Sequence, residues 1–119
     1  AEVFQNAIDR VKLVGECKKD LACYSKALTD AKSARAERAA FALSRLGHDA
    51  VPELIKQVGH KDSAVRTAVL YALTRVATKA DEAVLKALGA QIDLDRTKDK
   101  IGIALAEEMR VVSAIISHR

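Results

Sequence analysis

Two stretches of this chain, thirty residues apart, are nearly the same. The stretch FALSRLGHDAVPELIKQVG begins at Phe41 and aligns without a gap on YALTRVATKADEAVLKALG, which begins at Tyr71. The shared positions include an Ala-Leu pair, an Arg, a Lys and a closing Gly. A period of this length is typical of chains that stack copies of one structural unit, because a single unit cannot bury its apolar faces alone.

The repeated unit is expected to be helical. Half of the 119 residues are hydrophobic, but only 3% are aromatic, and the chain has one Pro and five Gly. Apolar residues recur at helical spacing throughout, and no segment shows the alternation of a strand. The first such stripe comprises Val3, Phe4, Ala7, Ile8, Val11 and Val14. The length predicts one domain, and no apolar run reaches the roughly 18 residues needed to span a bilayer.

Capping residues predict where the helices begin and end. Asp and Ser accept hydrogen bonds from the free N–H groups of a first turn, and glycine often follows a last turn. The expected starts are Asp20, Asp49, Asp62 or Ser63, Thr78 with Asp81, and Asp93 or Asp95. The expected stops are Gly15, Gly47, Gly59 and Gly89. Pro52 lies in a first turn, where its missing N–H is not needed.

The last segment has no clear internal turn. It reads as a third copy of the first helix of the unit, with Ala104-Leu105 in the place of Ala72-Leu73. Either one long helix ends the chain or a break lies at Glu107-Glu108, and the long helix is favoured. Four helical units are therefore expected within the single domain 1–119, at about residues 1–30, 34–59, 62–89 and 93–119.

The second copy resembles a HEAT repeat of the short bacterial type, which is similar to the HEAT-like repeats of phycobilisome lyases. Asp62 stands where that family starts its first helix, followed by Val65-Arg66, Ala72-Leu73 and the leucines Leu85 and Leu88. The preceding copy fits less fully, since Arg35-Ala36 stands where Val-Arg is expected. The resemblance implies an all-α, right-handed solenoid of about three to four stacked antiparallel helical hairpins.

The resemblance also implies a class of function. HEAT-like arrays most often bind protein partners through the concave row of second helices, without catalysis and without a cofactor. The residues expected on that row are Glu53, Lys56, Gln57, Ala83, Lys86 and Ala87. The functional information is expected where the copies differ, as at Glu53 against Ala83.

Two other functions stay open. Lys56 and Lys86 occupy equivalent positions and, joined by Lys26, would form a basic stripe for nucleic acid or another phosphate backbone. The net charge of +4 permits this reading, but no aromatic residues are interleaved to stack bases. A HEAT-like lyase or chromophore chaperone is permitted by the resemblance alone, since no catalytic motif is present.

The cysteines bear on the compartment. If Cys17 lies in the loop before Asp20, it can fold back onto Cys23 to form a disulfide. A disulfide would indicate a periplasmic or secreted protein, whereas reduced thiols would indicate the cytoplasm. Two thiols without a histidine at ligand spacing do not make a zinc site, so no metal is expected. The chain begins at Ala1 rather than Met, which indicates processing or a longer parent chain.

The remaining polar candidates are interpreted as structural. His48 and His60 are expected in solvated turns and His118 at the chain end. The resemblance implies that Arg66 forms an ion pair with Asp62 or with an acid of the adjacent copy, and we expect a surface pair worth about 0 to 1 kcal/mol.

The last helix carries more apolar residues than one stripe needs. They are Ile101, Ile103, Leu105, Met109, Val111, Val112, Ile115 and Ile116. We therefore expect either coverage by further repeats or self-association through this helix.

Overall fold

Seven α-helices make up the described part of the chain, and that part contains no strand. The structure is a computed structural model that describes residues 2–30 and 32–119. The helices are α1 (Glu2–Cys17), α2 (Leu21–Ala27), α3 (Ser33–Arg45), α4 (Val51–Ile55), α5 (Ser63–Val76), α6 (Glu82–Asp95) and α7 (Lys100–Ser117). A short 3-10 turn, His48–Ala50, leads into α4.

The helices stack in two layers. In the first layer, α1 packs on α3, α3 on α5 and α5 on α7. The second layer contains the intervening helices, and α4 contacts α6 within it. The molecule measures 36 × 31 × 18 Å, and its thinnest dimension is close to two helix diameters of about 10 Å each. The expected all-α solenoid of stacked hairpins is therefore confirmed as an architecture.

The repeated residues are packing residues. Ala42, Leu43, Ala72 and Leu73 are all buried in one continuous core, and the small alanines allow α3 and α5 to approach closely. Even Phe41 and Tyr71, the first residues of the two similar stretches, meet edge to face with ring centroids 5.6 Å apart. Equivalent positions of adjacent copies thus contact each other, as stacking of like units requires.

Two of the predicted caps are confirmed. The carboxylate of Asp20 accepts hydrogen bonds from the N–H groups of Ala22 and Cys23, and Asp62 caps α5 in the same way. Asp81 occupies the cap position of α6, but its carboxylate accepts from Thr78 N–H instead of from the helix.

The other cap predictions were wrong. Asp49 lies inside the 3-10 turn, so α4 starts two residues later and is short. Asp93 and Asp95 belong to the last turn of α6, and Asp99 caps α7 by accepting from Gly102 N–H. Both errors arise because Asp favours helix starts but does not fix which of several nearby residues begins the helix.

The glycine stops were correct at one position only. Gly47 follows α3 with a φ of +88°, a backbone conformation that glycine adopts without strain. In contrast, α1 continues past Gly15 to Cys17, and Lys18 takes the left-handed conformation with a φ of +53°. Gly89 lies in the middle of α6, and Gly59 lies beyond the last residue of α4.

Of the two outermost helices of the first layer, α7 agrees with expectation and α1 does not. The single long helix favoured for the C-terminal segment is confirmed, since α7 passes Glu107-Glu108 without a break. The apolar stripe of α1 was expected to be its packing face, but it faces outwards, with Phe4 74% and Val11 73% exposed. Leu13 and Cys17 pack against the core instead.

Two glycines provide a test of the packing around α6 and α7. A Cβ added at Gly102 would lie 2.5 Å from the backbone oxygen of Asp95, whereas one added at Gly89 would meet nothing within 4 Å. Gly102→Ala should therefore lower the free energy of unfolding by about 1 to 2 kcal/mol, because the backbone must shift. Gly89→Ala should raise it by about 0.5 to 1 kcal/mol, since alanine favours a helix interior. Urea unfolding followed by circular dichroism measures both, and equal shifts of one sign would contradict the packing.

Candidate functional site

The second layer carries the six residues predicted to bind a partner. Glu53 lies in α4, with Lys56 and Gln57 just after its last residue, and α6 carries the other three. Lys56 and Lys86 are both exposed, and the Lys56 side chain is 65% accessible. Because α4 contacts α6, the two segments that carry these residues are neighbours in the stack. We call the surface formed by Lys56, Ala83 and Lys86 the second-layer surface.

Glu53 plays a different part from the exposed members of this set. Its carboxylate accepts a hydrogen bond from the Ser25 hydroxyl of α2 and lies 3.4 Å from Lys56 Nζ. The Ser25 hydrogen bond is the main reason why the pKa of Glu53 is lowered, with Lys56 adding to it against the opposing effect of burial. Glu53 therefore connects α2 to α4. Ala87, also half-buried, packs against the core.

Arg66 is a buried charged group inside the stack. Its side chain is 7% exposed and forms an ion pair with Asp95, whose side chain is 1% exposed. Its Nε also donates to the Val58 carbonyl at 2.9 Å. The expected ion pair with an acid of the adjacent copy is present, since Asp95 falls in the predicted unit 93–119. The expected surface position was wrong because both side chains are buried, and Asp62, the other possible partner, caps α5 instead.

The carboxylate of Asp95 stays charged in this buried position. Burial alone would raise its pKa, but hydrogen bonds from Arg66 and Gln91 together with the charge of Arg66 outweigh burial and lower the pKa. Arg66 Nη2 also lies 3.9 Å from the Met109 sulfur of α7. Residues of the α4–α5 turn, α5, α6 and α7 therefore meet around one guanidinium. From the sequence, Asp95 was predicted only as a cap candidate, so its role as the partner was missed.

The preceding copy has a small apolar residue, rather than a buried arginine, at the position equivalent to Arg66. Ala36, which is thirty residues before Arg66, is fully buried. Arg35 beside it bonds Glu16 of α1 and Asp30 at the surface, and the Glu16 hydrogen bond is the main cause of its raised pKa. In the copy where Arg35-Ala36 stands in place of Val-Arg, the arginine therefore forms its ion pairs at the surface rather than in the interior.

Both turn histidines lie in turns as expected, and the His48 side chain is 64% accessible, but each also has a hydrogen-bond partner. His48 Nε2 lies 2.6 Å from Asp81 Oδ1, and this contact joins the turn before α4 to the turn before α6. His60 Nδ1 accepts from Asp62 N–H at 3.0 Å. His118 is exposed at the end of α7. Within residues 2–30 and 32–119, no group of three or more His, Cys, Asp or Glu side chains can hold a metal ion.

Asp81 gives a pH test of the contacts between turns. Its pKa is lowered, chiefly by the Thr78 N–H hydrogen bond and further by His48, against burial. Because the pKa is lower in the folded state, the ionised carboxylate stabilises the fold above the unfolded-state pKa of about 4. This stabilisation is lost as the pH falls through the folded-state pKa. Asp81→Asn should therefore reduce the loss of stability as the pH falls below about 4. Urea titrations at several pH values measure it, with Asp49→Asn as the exposed control; equal losses in both variants would contradict the prediction.

The cysteines form a disulfide between the end of α1 and the first turn of α2. The Cα atoms of Cys17 and Cys23 lie 5.3 Å apart, within the range for a bridge. Tyr24, buried beside it, donates a hydrogen bond to the Lys18 carbonyl at 2.6 Å. The turn between α1 and α2 is therefore held by both the disulfide and this hydrogen bond. Cys17 lies in the last turn of α1 rather than in the loop where it was expected.

Stacked antiparallel hairpins with a repeated Ala-Leu core define the class of α-solenoids. The family described as HEAT repeats matches residues 24–106, more than half of the chain, and the chain therefore belongs to the HEAT repeat family. No curated protein and no solved structure gives a significant match. Members of this family are generally protein-interaction scaffolds and typically not enzymes. None of the described helices is long and apolar enough to cross a membrane.

Proposed function

We propose that the chain is a non-enzymatic scaffold that binds a protein partner through the second-layer surface, the expected concave side of a single repeat domain. The observation that supports this most directly is the exposure of Lys56 and Lys86 at equivalent positions of two adjacent, contacting helical units. Neither lysine is needed for packing. Glu53, Gln57 and Ala87 surround them and lie half-buried.

Rigidity is the physical basis of this function. The second-layer helices are held by the core beneath them and by the Ser25 to Glu53 hydrogen bond. A surface that is already ordered loses little entropy on binding, so its contacts are retained as affinity. The two like charges would increase the association rate with an acidic partner and fix its orientation.

A paired charge reversal tests the surface. Lys56→Glu with Lys86→Glu should remove the partners that the wild-type protein captures from its source cell. Lys61→Glu with Lys79→Glu, an equal charge change at exposed turn residues, should leave that capture unchanged. Recovery of the same partners by both variants would show that the second-layer surface is not the binding face.

Nucleic acid is the other anionic partner that this lysine pair fits. The affinity of the protein for nucleic acid would fall by orders of magnitude between about 50 and 200 mM salt if many phosphates were contacted. A captured partner whose binding resists salt would therefore be a protein. The absence of stacked aromatics among the described residues of this surface favours the protein.

The outer helix α7 supports self-association as a second role. Ile101, Ile103 and Val111 are 63%, 52% and 58% exposed, and the stripe of α1 is exposed at the opposite end of the same layer. A second copy that placed its α1 on α7 would continue the contact by which α1 packs on α3. Light scattering should show a mass that rises with concentration, and Ile103→Glu with Val111→Glu should keep the protein monomeric. A wild type that remains monomeric at high concentration would exclude this role.

The disulfide supports a periplasmic or secreted location. Bridges persist where the compartment is oxidising, and reducing systems remove them in the cytoplasm. Thiol titration of protein unfolded without reductant should find no free thiol. Two free thiols in protein taken from its source cell would exclude such a location.

A further inference from the structure

A basic cleft lies between the end of α1, the turn that follows it, and α3. It has a volume of about 400 Å³, and four of its lining side chains are cations: Lys18, Lys19, Arg38 and Arg45. No acid lines it. The cleft shares no residue with the second-layer surface, so it is a separate candidate site.

Among the side chains that the structure describes, the four cations have no counter-charge. None of them pairs with an acid whose side chain the structure describes, whereas Arg10 and Arg35 nearby do form ion pairs. Like charges that line one concavity reinforce each other, because the low-dielectric wall focuses their field. The four cations repel one another in the free protein, and a bound anion would reduce this repulsion.

The cleft is built rather than formed by chance on a mobile surface. Lys18 and Lys19 lie in the turn that the Cys17–Cys23 disulfide closes, and Tyr24 holds the Lys18 carbonyl. Arg38 and Arg45 project from α3, whose other side is packed on α5. The backbone on both sides of the cleft is therefore held in place, which lowers the entropy lost when a ligand binds.

The wall of the cleft indicates more than a bare anion. Val14, Ala42, Leu46 and the buried Tyr24 contribute apolar surface between the cations. Inorganic phosphate would leave this surface in contact with water. A ligand that carries negative charges on either side of an apolar side chain would use both features, and the volume lies within the range of about 300 to 1,000 Å³ for small-ligand sites.

We propose that this cleft binds an acidic peptide segment in which carboxylates flank an aliphatic side chain. The carboxylates pair with the lysines of the turn and with the guanidinium groups of α3, which suit two-point hydrogen bonding. The aliphatic side chain lies against Val14 and Leu46. The protein would thus have a second contact with its partner, on the first layer.

The binding of a labelled peptide tests the proposal. Fluorescence anisotropy with fluorescein-labelled Asp-Asp-Leu-Asp-Asp should show saturable binding to the oxidised full chain. Lys19→Glu with Arg38→Glu should weaken it by about tenfold or more, since two favourable charge contacts become unfavourable. Lys56→Glu with Lys86→Glu, which changes the net charge equally, should leave the affinity within about twofold. Circular dichroism confirms that both variants fold.

Two further measurements separate the cleft from general attraction to a basic protein. Asp-Asp-Ser-Asp-Asp should bind more weakly than the leucine peptide, and Cys17→Ala with Cys23→Ala should weaken binding of the leucine peptide by loosening the turn. Equal binding of both peptides would overturn the proposal. Displacement of the leucine peptide by tripolyphosphate, at concentrations that the charge of tripolyphosphate alone explains, would overturn it too. An equal loss of affinity in the Lys19→Glu, Arg38→Glu variant and in the Lys56→Glu, Lys86→Glu variant would overturn it as well. That result would not contradict the second-layer surface as a partner site.

Discussion

Replacing Arg66 by alanine should lower the free energy of unfolding by about 3 to 5 kcal/mol, the range for breaking a buried ion pair. The substitution leaves the Asp95 carboxylate buried with only Gln91 to bond it, and it removes the donor to the Val58 carbonyl. The unpaired charge, more than the lost contact, produces the effect. Urea unfolding at neutral pH measures it.

Two matched variants distinguish this cause from simple truncation. Arg75→Ala, at an exposed position in the last turn of the same helix, should change stability by no more than about 0.5 kcal/mol. Arg66→Met combined with Asp95→Leu removes both charges, and it should be about as stable as wild type or more stable. An Arg66→Ala variant as stable as Arg75→Ala would show that the pair is not buried in solution.

Reduction of the Cys17–Cys23 disulfide should lower the free energy of unfolding by about 2 kcal/mol, the loop-entropy value for a bridge that closes so few residues. The bridge restricts the unfolded chain at the junction of α1 and α2. Urea unfolding with and without dithiothreitol measures the difference.

The alanine pair provides the control for the disulfide. Cys17→Ala with Cys23→Ala should unfold at one midpoint whether or not dithiothreitol is present. Its stability should match that of the reduced wild type to within the effect of a buried side-chain change at Cys17. A wild-type midpoint that does not respond to reductant would contradict a stabilising bridge.

The fold could be predicted because its information is local and repeated. Ala42-Leu43 and Ala72-Leu73 show the same apolar spacing at the same offset, and the stacking of like units turns that spacing into a core. Asp20 and Asp62 were recognisable as caps, since each precedes a helical pattern and nothing else competes for its carboxylate.

Features that depend on which surfaces meet could not be predicted. Periodicity showed that α1 has an apolar stripe, but not that its neighbour packs on the face of Leu13 and Cys17. Arg66 and Asp95 are 29 residues apart, and an acid in a helical end is a cap candidate until the neighbouring helix is placed. The stops at Gly15 and Gly89 failed because glycine inside a helix costs only about 1 kcal/mol, so good helix-forming neighbours can continue the helix through it.

The candidate sites show the same division. Exposure of Lys56 and Lys86 was predictable because both fall outside the apolar stripes of their segments. The basic cleft was not, because its cations come from a turn and from a separate helix. The lysines of the turn carry no sequence signal beyond their charge, and only the bend after Cys17 brings them opposite Arg38.

The cluster around Arg66 also determines how the stack comes apart. A chain of repeats linked only to nearest neighbours can lose its terminal helix first, as local opening at low free energy. Here α7 contributes Met109 to the surroundings of Arg66, and its departure would admit water to a buried ion pair. The last helix is therefore expected to exchange its amide hydrogens together with α5, as part of one cooperative unit, rather than fray independently.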